Sequence, residues 1–327
     1  MIFSRDIGID LGTSNTKVTD KKGHIIICEP SVVAVDVKTK KVLATGSEAK
    51  DMIGRTPGSI VAVKPIHDSV IADFDMTSDM LRDFMYRSSK RSVFTKTRVV
   101  ICVPSGVTEV ERRAVEDAVR SAGAQDVELI EAPVAAALGA GLPVFEATGS
   151  MIVDIGGGTT DVAVMSLGGI ASCKSIKTGG DAFDEAIVDF IKKKYNLLIG
   201  DRTAEDIKLK IGSAKEYDGE AAMEVRGRNL DNGLPGSIEL TSGDVRYILA
   251  EPVSEIINAI KETLEVTLPE LASDIIGRGI YLTGGASQLR GLSELIEEEI
   301  GIPVIIPENS VDCVAIGTSI KLRRAKQ

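Results

Sequence analysis

The sequence predicts an α/β protein that consists of two similar halves. The first observation is a hairpin at residues 151–164, where apolar β-forming residues flank a Gly-Gly-Gly-Thr-Thr turn. The second is that residues 5–18 repeat this plan: an apolar strand ends in Asp10, and glycine and hydroxyl residues lead into another strand. The third is that helical patterns follow strands in both halves, which is typical of α/β proteins.

The glycine turn of the second hairpin has the properties of a phosphate-binding loop. Glycine lets a ligand approach the bare backbone, and successive amides in such a turn form a concave anion site. Asp154 ends the preceding strand, where its carboxylate would repel a phosphate, so we expect it to hold a hydrated Mg²⁺. Triple glycines also make ordinary hairpins, but the second copy at Asp10 favours a nucleotide between the two halves.

Length and composition restrict the class of protein. A chain of 327 residues suggests about two domains of roughly 150 residues. The net charge of −10 argues against a general nucleic-acid-binding role. We expect no signal peptide, because Arg5 and Asp6 interrupt the start and no small-residue cleavage site follows. We also expect no membrane-spanning segment, because no run of about 18 apolar residues occurs. Four widely spaced cysteines are predicted to be buried, reduced thiols of a cytosolic protein: Cys28, Cys102, Cys173 and Cys313.

The first half is predicted to contain the first hairpin, an inserted unit and several helices. Residues 24–46 hold strand-like runs and residues 47–64 a short helix and a loop, which we interpret as an insertion. Thr108 and Glu111 form a capping box that opens a helix, and Gly123 closes it. The other predicted elements are a helix over 77–90, strands over 98–103 and 127–130, and an alanine-rich helix over 134–141.

The second half is predicted to continue from its hairpin with helices around a strand-like segment. A helix begins at Asp181, and Thr203 caps another that runs through Ala214. Further elements are a strand-like stretch over 217–241, helices over 244–264 and 292–300, a strand over 304–306 and a terminal helix over 311–322. We expect the terminal helix to return to the first half.

Seven short motifs are spread from end to end of the chain, at residues 10–16, 54–58, 70–74, 103–105, 154–160, 282–286 and 314–317. In combination they make the chain similar to the MreB family of bacterial actin homologues. The resemblance implies an actin-like ATPase fold, with two ribonuclease-H-like domains around a nucleotide cleft and a smaller subdomain inserted in each. The expected limits are 1–145 plus 311–327 for domain I, with its small subdomain at about 32–64, and 146–310 for domain II, with its small subdomain at about 180–243.

The resemblance also implies a function. It implies ATP and Mg²⁺ in the cleft and a homopolymer of double protofilaments. It places these filaments in the cytoplasm, peripherally on the inner face of the cell membrane, where they determine cell shape. The implied partners are the chain itself, the membrane surface and cell-shape or wall-synthesis membrane proteins, but no nucleic acid.

The phosphate and magnesium residues follow from the same resemblance. Lys17, just past the first turn, is either a β-phosphate contact or an exposed strand lysine. The other expected phosphate contacts come from both turns: Thr13, Ser14, Asn15, Gly157, Gly158 and Thr159. The expected ligands of Mg²⁺, through water, are Asp10 and Asp154.

The nucleoside residues are expected further along the chain. Glu205 is placed at the ribose hydroxyls and Lys208 over the adenine, although the same helix is also typical of a capped surface helix with mixed charges. Gly180 abuts the ribose at a helix N-terminus. The resemblance assigns the adenine-side loop to Gly284, Gly285, Ala286 and Ser287.

One departure from the family concerns hydrolysis. The family usually has Glu-Glu-Pro where this chain has Glu131-Ala132-Pro133, and the second Glu orients the attacking water. Ala132 can neither accept nor position a proton. Thr159, Asp154 and the neighbouring Glu131 are the remaining catalytic candidates, so we expect ATP binding and polymer formation with slow or blocked hydrolysis.

A membrane contact is expected at Val93 and Phe94, which basic residues surround. In the family the equivalent hydrophobic loop inserts into lipid, and cationic neighbours suit anionic headgroups. The alternative is a loop tucked under its own subdomain.

Two other functions use the same hairpins. One is an actin-fold small-molecule kinase, which needs a catalytic carboxylate and an acceptor pocket. The other is a heat-shock-type chaperone ATPase, in which a peptide-binding domain follows the nucleotide domain.

Overall fold

The computed structural model describes residues 4–88 and 96–324. The strands of the first half are β1 (Ser4–Leu11), β2 (Asn15–Asp20), β3 (Ile25–Pro30), β4 (Val33–Asp36), β5 (Val42–Thr45), β6 (Ile60–Val63), β7 (Ile66–His67), β8 (Val70–Ile71), β9 (Lys96–Val103) and β10 (Asp126–Glu131). Those of the second half are β11 (Ser150–Ile155), β12 (Thr160–Ser166), β13 (Gly169–Ile176), β14 (Leu197–Leu198), β15 (Ala222–Asn229), β16 (Pro235–Thr241), β17 (Ile280–Thr283) and β18 (Val304–Ile305).

Helices follow these strands in both halves. They are α1 (Ser47–Met52), α2 (Phe74–Arg87), α3 (Glu109–Ser121), α4 (Ala132–Gly139), α5 (Gly180–Tyr195), α6 (Asp201–Ile211), α7 (Ser242–Glu265), α8 (Pro269–Arg278), α9 (Leu292–Ile300) and α10 (Cys313–Arg324). The predicted capping box opens α3, since the Thr108 side chain accepts from the Glu111 amide and the Glu111 side chain accepts from the Thr108 amide.

The two halves contain sheets with the same strand order. The first sheet runs β10-β9-β1-β2-β3 and the second runs β18-β17-β11-β12-β13. In each, the leading hairpin strands are antiparallel, and the later strands join the hairpin in parallel. The hairpins also match in register, because Asp10 lies opposite Lys17 and Asp154 lies opposite Asp161. The two similar halves of the predicted α/β fold are therefore present.

Helices α4 and α10 join the sheets at the centre of the molecule. Buried residues of β9, β10, β11 and β12 form one apolar cluster with residues of α4 and α10. The two helices lie so close that a Cβ on Gly139 would be 1.9 Å from the Cys313 carbonyl oxygen, and one on Gly317 would be 1.8 Å from that of Ala135. Small residues thus let the terminal helix pack between α4 and strand β1.

Each half also carries a three-stranded sheet. In the first half it has the order β5-β4-β6 and packs with α1, within residues 33–63. In the second half it has the order β14-β15-β16 and lies near α6 and α7. The domain and subdomain limits given above stay predictions.

Some local predictions were wrong. Helix α6 begins at Asp201 after Gly200, so Thr203 is not its cap. Helix α7 begins two residues earlier than predicted, because Thr241 and Asp244 form a capping box there. Helix α8 was not predicted; Pro269 at its start and Gly279 at its end are the sequence signals that mark it.

The prediction that all four cysteines are buried was half wrong. Cys102 and Cys313 are buried, whereas Cys28 and Cys173 are exposed. The exposed pair lies on β3 and β13, the outer strands of the two sheets, where alternate residues face solvent.

Val93 and Phe94, the residues of the predicted membrane contact, lie outside the described residues. Among the helices of residues 4–88 and 96–324, none has the length and apolar character needed to cross a bilayer.

Candidate nucleotide-binding cleft

The two glycine hairpins meet at the base of a cleft between the halves. A Cβ on Gly157 would lie 2.1 Å from Ser14 Oγ, and one on Gly158 would lie 2.5 Å from Thr13 Oγ1. A side chain at Gly157 or Gly158 would force the first turn to shift, and glycine permits this close approach. The wall of the cleft includes Thr13, Ser14, Asn15, Gly157 and Thr159. The two turns thus lie side by side on the wall of a single pocket that amides and hydroxyls line.

Ser69 connects the two turns and was not predicted as a site residue. Its amide donates to Thr13 Oγ1 at 2.9 Å, and its hydroxyl lies 2.9 Å from Thr159 Oγ1. Asp68 and Ser69 both have positive φ, 48° and 59°, in the turn between β7 and β8. An Asp-Ser pair between short apolar runs was the available signal for such a hairpin turn.

Asp10 and Asp154 place two carboxylates on the cleft wall beside the turns. Asp154 is 9% exposed and accepts a 2.8 Å hydrogen bond from Thr283 Oγ1, and Asp10 accepts from Cys102 Sγ at 3.3 Å. Burial is the main cause that raises the pKa of Asp154 to about 7, and the charge of Asp10 raises it further. Burial also raises the pKa of Asp10, although the charge of Lys17 opposes this.

This pair of carboxylates fits a cation that retains several water ligands. Within the described residues there is no cluster of three or more His, Cys, Asp or Glu side chains that could hold a metal. Two desolvated carboxylates favour a nearby positive charge, and Mg²⁺ commonly binds one or two carboxylates while keeping waters and contacting phosphates.

Lys17 is buried, so its interpretation as an exposed strand lysine was wrong. Its side chain is 7% exposed, and Nζ lies 2.8 Å from Asp312 Oδ1 and donates to the Val311 carbonyl oxygen. The chain reaches these partners only when residues 311–312 return beside β2. Lys17 also lines the cleft, which keeps it within the candidate phosphate site.

Helices α5 and α6 carry three of the residues predicted to contact the nucleoside. Gly180, Glu205 and Lys208 all line the cleft. Lys208 Nζ donates to the Gly180 carbonyl oxygen and to Asp184 Oδ2, each at 2.8 Å, and its side chain is only 15% exposed. This is not the environment of a freely solvated surface lysine. Glu205 pairs with Lys50 of the first half at 3.0 Å.

The loop after β17 closes this end of the cleft. Gly284 has φ 89°, and a Cβ there would lie 2.2 Å from the Ile155 carbonyl oxygen. Gly284, Gly285 and Ala286 line the cleft. Ser287 instead lies behind the loop, where it is 1% exposed and donates to the Gly284 carbonyl oxygen at 2.6 Å. Its position is that of a residue that supports the loop.

The hydrolysis candidates separate into two groups. Ala132 begins α4 and lines the cleft, whereas the Glu131 carboxylate lies 2.9 Å from Arg112 Nη2 and outside the cleft wall. Asp161, which was not predicted, lines the cleft and accepts from Ser105 Oγ at 3.0 Å. Burial raises the pKa of Asp161. It lies opposite Asp154 in the register of the second hairpin, and its bond with Ser105 connects β12 to the loop after β9.

Comparisons with known proteins agree with this fold. The family model described as MreB/Mbl protein matches residues 4–327. The chain is 48% identical over 321 residues to the cell shape-determining protein Mbl of Bacillus subtilis, covering 98% of this chain and 96% of that protein. It is 50% identical over 321 residues to the cell shape-determining protein MreB of Escherichia coli, covering 97% and 92%.

Solved structures give the same result for the fold. MreB5 of Spiroplasma citri bound to AMPPNP is 38% identical, with a TM-score of 0.93 over 99% of this chain and 97% of that chain. The same protein is also known bound to ADP. MamK, solved as a double helical filament, is 20% identical with a TM-score of 0.82 over 98% of both chains. The predicted actin-like α/β fold is confirmed, and the match along the whole chain shows that it belongs to the MreB/Mbl family.

Proposed function

We propose that this chain is a bacterial actin-like cytoskeletal protein that binds ATP with Mg²⁺, forms filaments and determines cell shape. The observation that carries the proposal is the meeting of two matched hairpins from opposite halves, with Gly157 against Ser14. Both hairpins bring a carboxylate, glycine amides and hydroxyls to one cleft. The named functions of Mbl and MreB, at about half sequence identity, support the role in cell shape.

Three groups of cleft residues are proposed to bind the phosphates, the Mg²⁺ ion and the nucleoside. The turns at residues 13–15 and 157–159 bind the phosphates through amides and hydroxyls. Asp10 and Asp154 hold Mg²⁺ through its waters, and the ion when bound neutralises phosphate charge. Glu205, Lys208 and the loop at residues 284–286 bind the nucleoside. The complexes of MreB5 with AMPPNP and ADP support the choice of an adenine nucleotide.

Hydrolysis by this chain is proposed to be slow. Ala132 occupies the cleft position at which the family usually has a water-orienting Glu, and an alanine methyl group accepts no hydrogen bond. Glu131 is held by Arg112 and does not supply the missing group. Thr159 remains on the cleft wall, where its hydroxyl can hold a water.

The proposed filaments lie on the inner face of the cell membrane. Val93, Phe94 and their basic neighbours are the proposed contact with anionic lipid. Phe94→Asp should therefore reduce co-sedimentation with vesicles that contain an anionic phospholipid, while Phe145→Asp, at an exposed residue of the described chain, should not. Equal sedimentation of Phe94→Asp and the parent would contradict the membrane contact. The proposed protein partners are cell-shape or wall-synthesis membrane proteins.

One experiment tests the proposed function as a whole. The purified chain is centrifuged with Mg-ATP, with ATP plus a chelator, or without nucleotide, and the pellets are imaged by electron microscopy. We expect filaments of paired protofilaments that depend on Mg-ATP. A protein that stays monomeric but phosphorylates a small acceptor would instead be an actin-fold kinase.

A further inference from the structure

Asp184 lies directly behind the proposed nucleoside site. It is in the second turn of α5, and its side chain is 14% exposed. Oδ2 accepts the 2.8 Å hydrogen bond from Lys208 Nζ. Oδ1 is buried without a hydrogen-bond partner among the described residues. A buried carboxylate with one unsatisfied oxygen is costly, so its place under Lys208 calls for an explanation.

Lys208 is held from two sides at the cleft. Its ammonium has three N–H donors, and two of them bind the Gly180 carbonyl oxygen and Asp184 Oδ2. The third is available to the cleft that Lys208 lines. A lysine side chain is long and has many rotamers, so the two bonds fix a direction that the side chain alone would not keep.

The other acids near this point have different partners. Asp181 pairs with Lys64 at 3.2 Å, and Glu205 pairs with Lys50 at 3.0 Å. Both of those lysines come from the first half of the chain. Asp184 is therefore the carboxylate bonded to Lys208, and the charged groups that face it are Lys208, Asp181 and Glu205.

We propose that Asp184 is a positioning residue that holds Lys208 in the orientation that contacts the bound nucleoside. The inference rests on the proposed nucleotide binding and deepens it. Asp184 touches no ligand in this account, and its effect on affinity passes through the Lys208 ammonium. Replacing Asp184 should therefore matter only while Lys208 is present.

The charge state of Asp184 provides a second consequence. Burial is the main cause that raises the pKa of Asp184 to about 6, against the opposing charge of Lys208. As the pH falls through this value, the carboxylate gains a proton and the ion pair with Lys208 is lost. Nucleotide affinity should then fall on the acidic side, and this loss should require both residues.

A double-mutant cycle tests the proposal, with the binding of unlabelled Mg-ADP measured by titration calorimetry. Asp184→Asn should weaken binding by about 10-fold, the lower end of the range for loss of a supporting partner. Lys208→Gln should weaken it at least as much, and the double variant should bind no more weakly than Lys208→Gln alone. Asp189→Asn is the matched control, because Asp189 lies on the same helix, is exposed and pairs with Lys193.

Failure of this proposal and failure of the proposed function would give different results. If the parent binds Mg-ADP but Asp184→Asn binds equally well, or if the double variant loses affinity beyond Lys208→Gln, Asp184 does not act through Lys208. If the parent binds no adenine nucleotide, the proposed function fails as well.

A pH series compares the parent with Lys208→Gln and uses no Asp184 variant. It therefore tests the proposal even if Asp184→Asn does not fold. Between about pH 7.5 and about pH 5.5, on either side of the Asp184 pKa, the parent should lose more affinity than Lys208→Gln. Phosphate groups and Asp154 titrate in both proteins, so the difference between them reports the ion pair. Parallel pH profiles would overturn the proposal.

Discussion

Asp154 is the residue at which burial and charge conflict most clearly. Its pKa of about 7 in the folded chain lies above the ordinary value of 3.8. Between these two values the folded state binds more protons than the unfolded state, so this group makes the protein less stable as the pH rises. Above the folded pKa both states are ionised and the full penalty applies, unless a cation is bound nearby.

Asp154→Asn should therefore stabilise the protein without nucleotide or metal at about pH 8, and the gain should shrink toward about pH 5. Each kcal/mol of relief corresponds to a rise in melting temperature of about 2–4 °C in a domain of this size. The same variant should lose most of the stabilisation by Mg-ATP. Thermal melts with and without Mg-ATP measure both effects, with Asp117→Asn at an exposed site as the control. A lower melting temperature for Asp154→Asn at pH 8 would contradict the account of this carboxylate.

Ala132 sets the expected rate of hydrolysis. Ala132→Glu should raise the rate of phosphate release at saturating Mg-ATP by about 10²-fold or more, the usual contribution of a positioned acid or base. Ala135→Ser is a control on the same helix, at a buried residue that is not part of the cleft wall. If the parent already turns over as fast as Ala132→Glu, the alanine does not limit hydrolysis.

At the scale of elements, the loop after β17 depends on a glycine that another residue cannot replace. Gly284 has a positive φ, and a Cβ on it would overlap the Ile155 carbonyl oxygen. Gly285 has φ −67°, and a Cβ on it would have no atom within 4 Å. Gly284→Ala should destabilise the chain by about 2 kcal/mol or more. Gly285→Ala should be neutral or slightly stabilising. Denaturant unfolding without nucleotide compares the two, and equal losses would contradict the loop geometry.

The sequence predicts elements well where the information is local. The hairpins at Asp10 and Asp154 carry their strands, turn residues and carboxylates within about a dozen residues, so the motif alone predicts both hairpins. Helix α8 was missed because it is short and buries only Ile275 among its large apolar residues, which leaves a weak helical period. Thr203 resembled a cap, but the helix had already begun after Gly200.

Site residues that depend on distant contacts could not be predicted in this way. Lys17 is buried because residues 311–312 return to it from the far end of the chain. Ser69 bonds across the cleft to Thr159 of the opposite half. In each case the residue type is common on surfaces, and only the tertiary fold identifies its role.

At the scale of the whole molecule, ion pairs join the two halves above the cleft, and four of them lie within residues 4–88 and 96–324. They are Lys50–Glu205, Lys64–Asp181, Lys177–Asp68 and Arg202–Asp51, at 3.0, 3.2, 3.2 and 3.7 Å. Such partly exposed pairs contribute about 0–1 kcal/mol each and are screened by salt. The closed arrangement is therefore held weakly at its rim.

Salt should open the nucleotide-free protein. Small-angle scattering should give a larger radius of gyration as NaCl rises from about 0.05 M to about 0.5 M, where the Debye length falls below about 5 Å. The double variant Lys50→Ala/Lys64→Ala should show the larger radius already at low salt. Lys193→Ala, which removes a pair within one helix, should behave as the parent does. A radius that is independent of salt in every variant would contradict this role of the ion pairs.

The central claim is that matched hairpins from the two halves bind one Mg-ATP between them. A crystal structure of the chain with a non-hydrolysable ATP analogue and Mg²⁺ tests it most directly. We expect the phosphates to contact residues 13–15 and residues 157–159 together, with the ion on the side of Asp10 and Asp154. A nucleotide held by one half alone, or an empty cleft at saturating ligand, would contradict it.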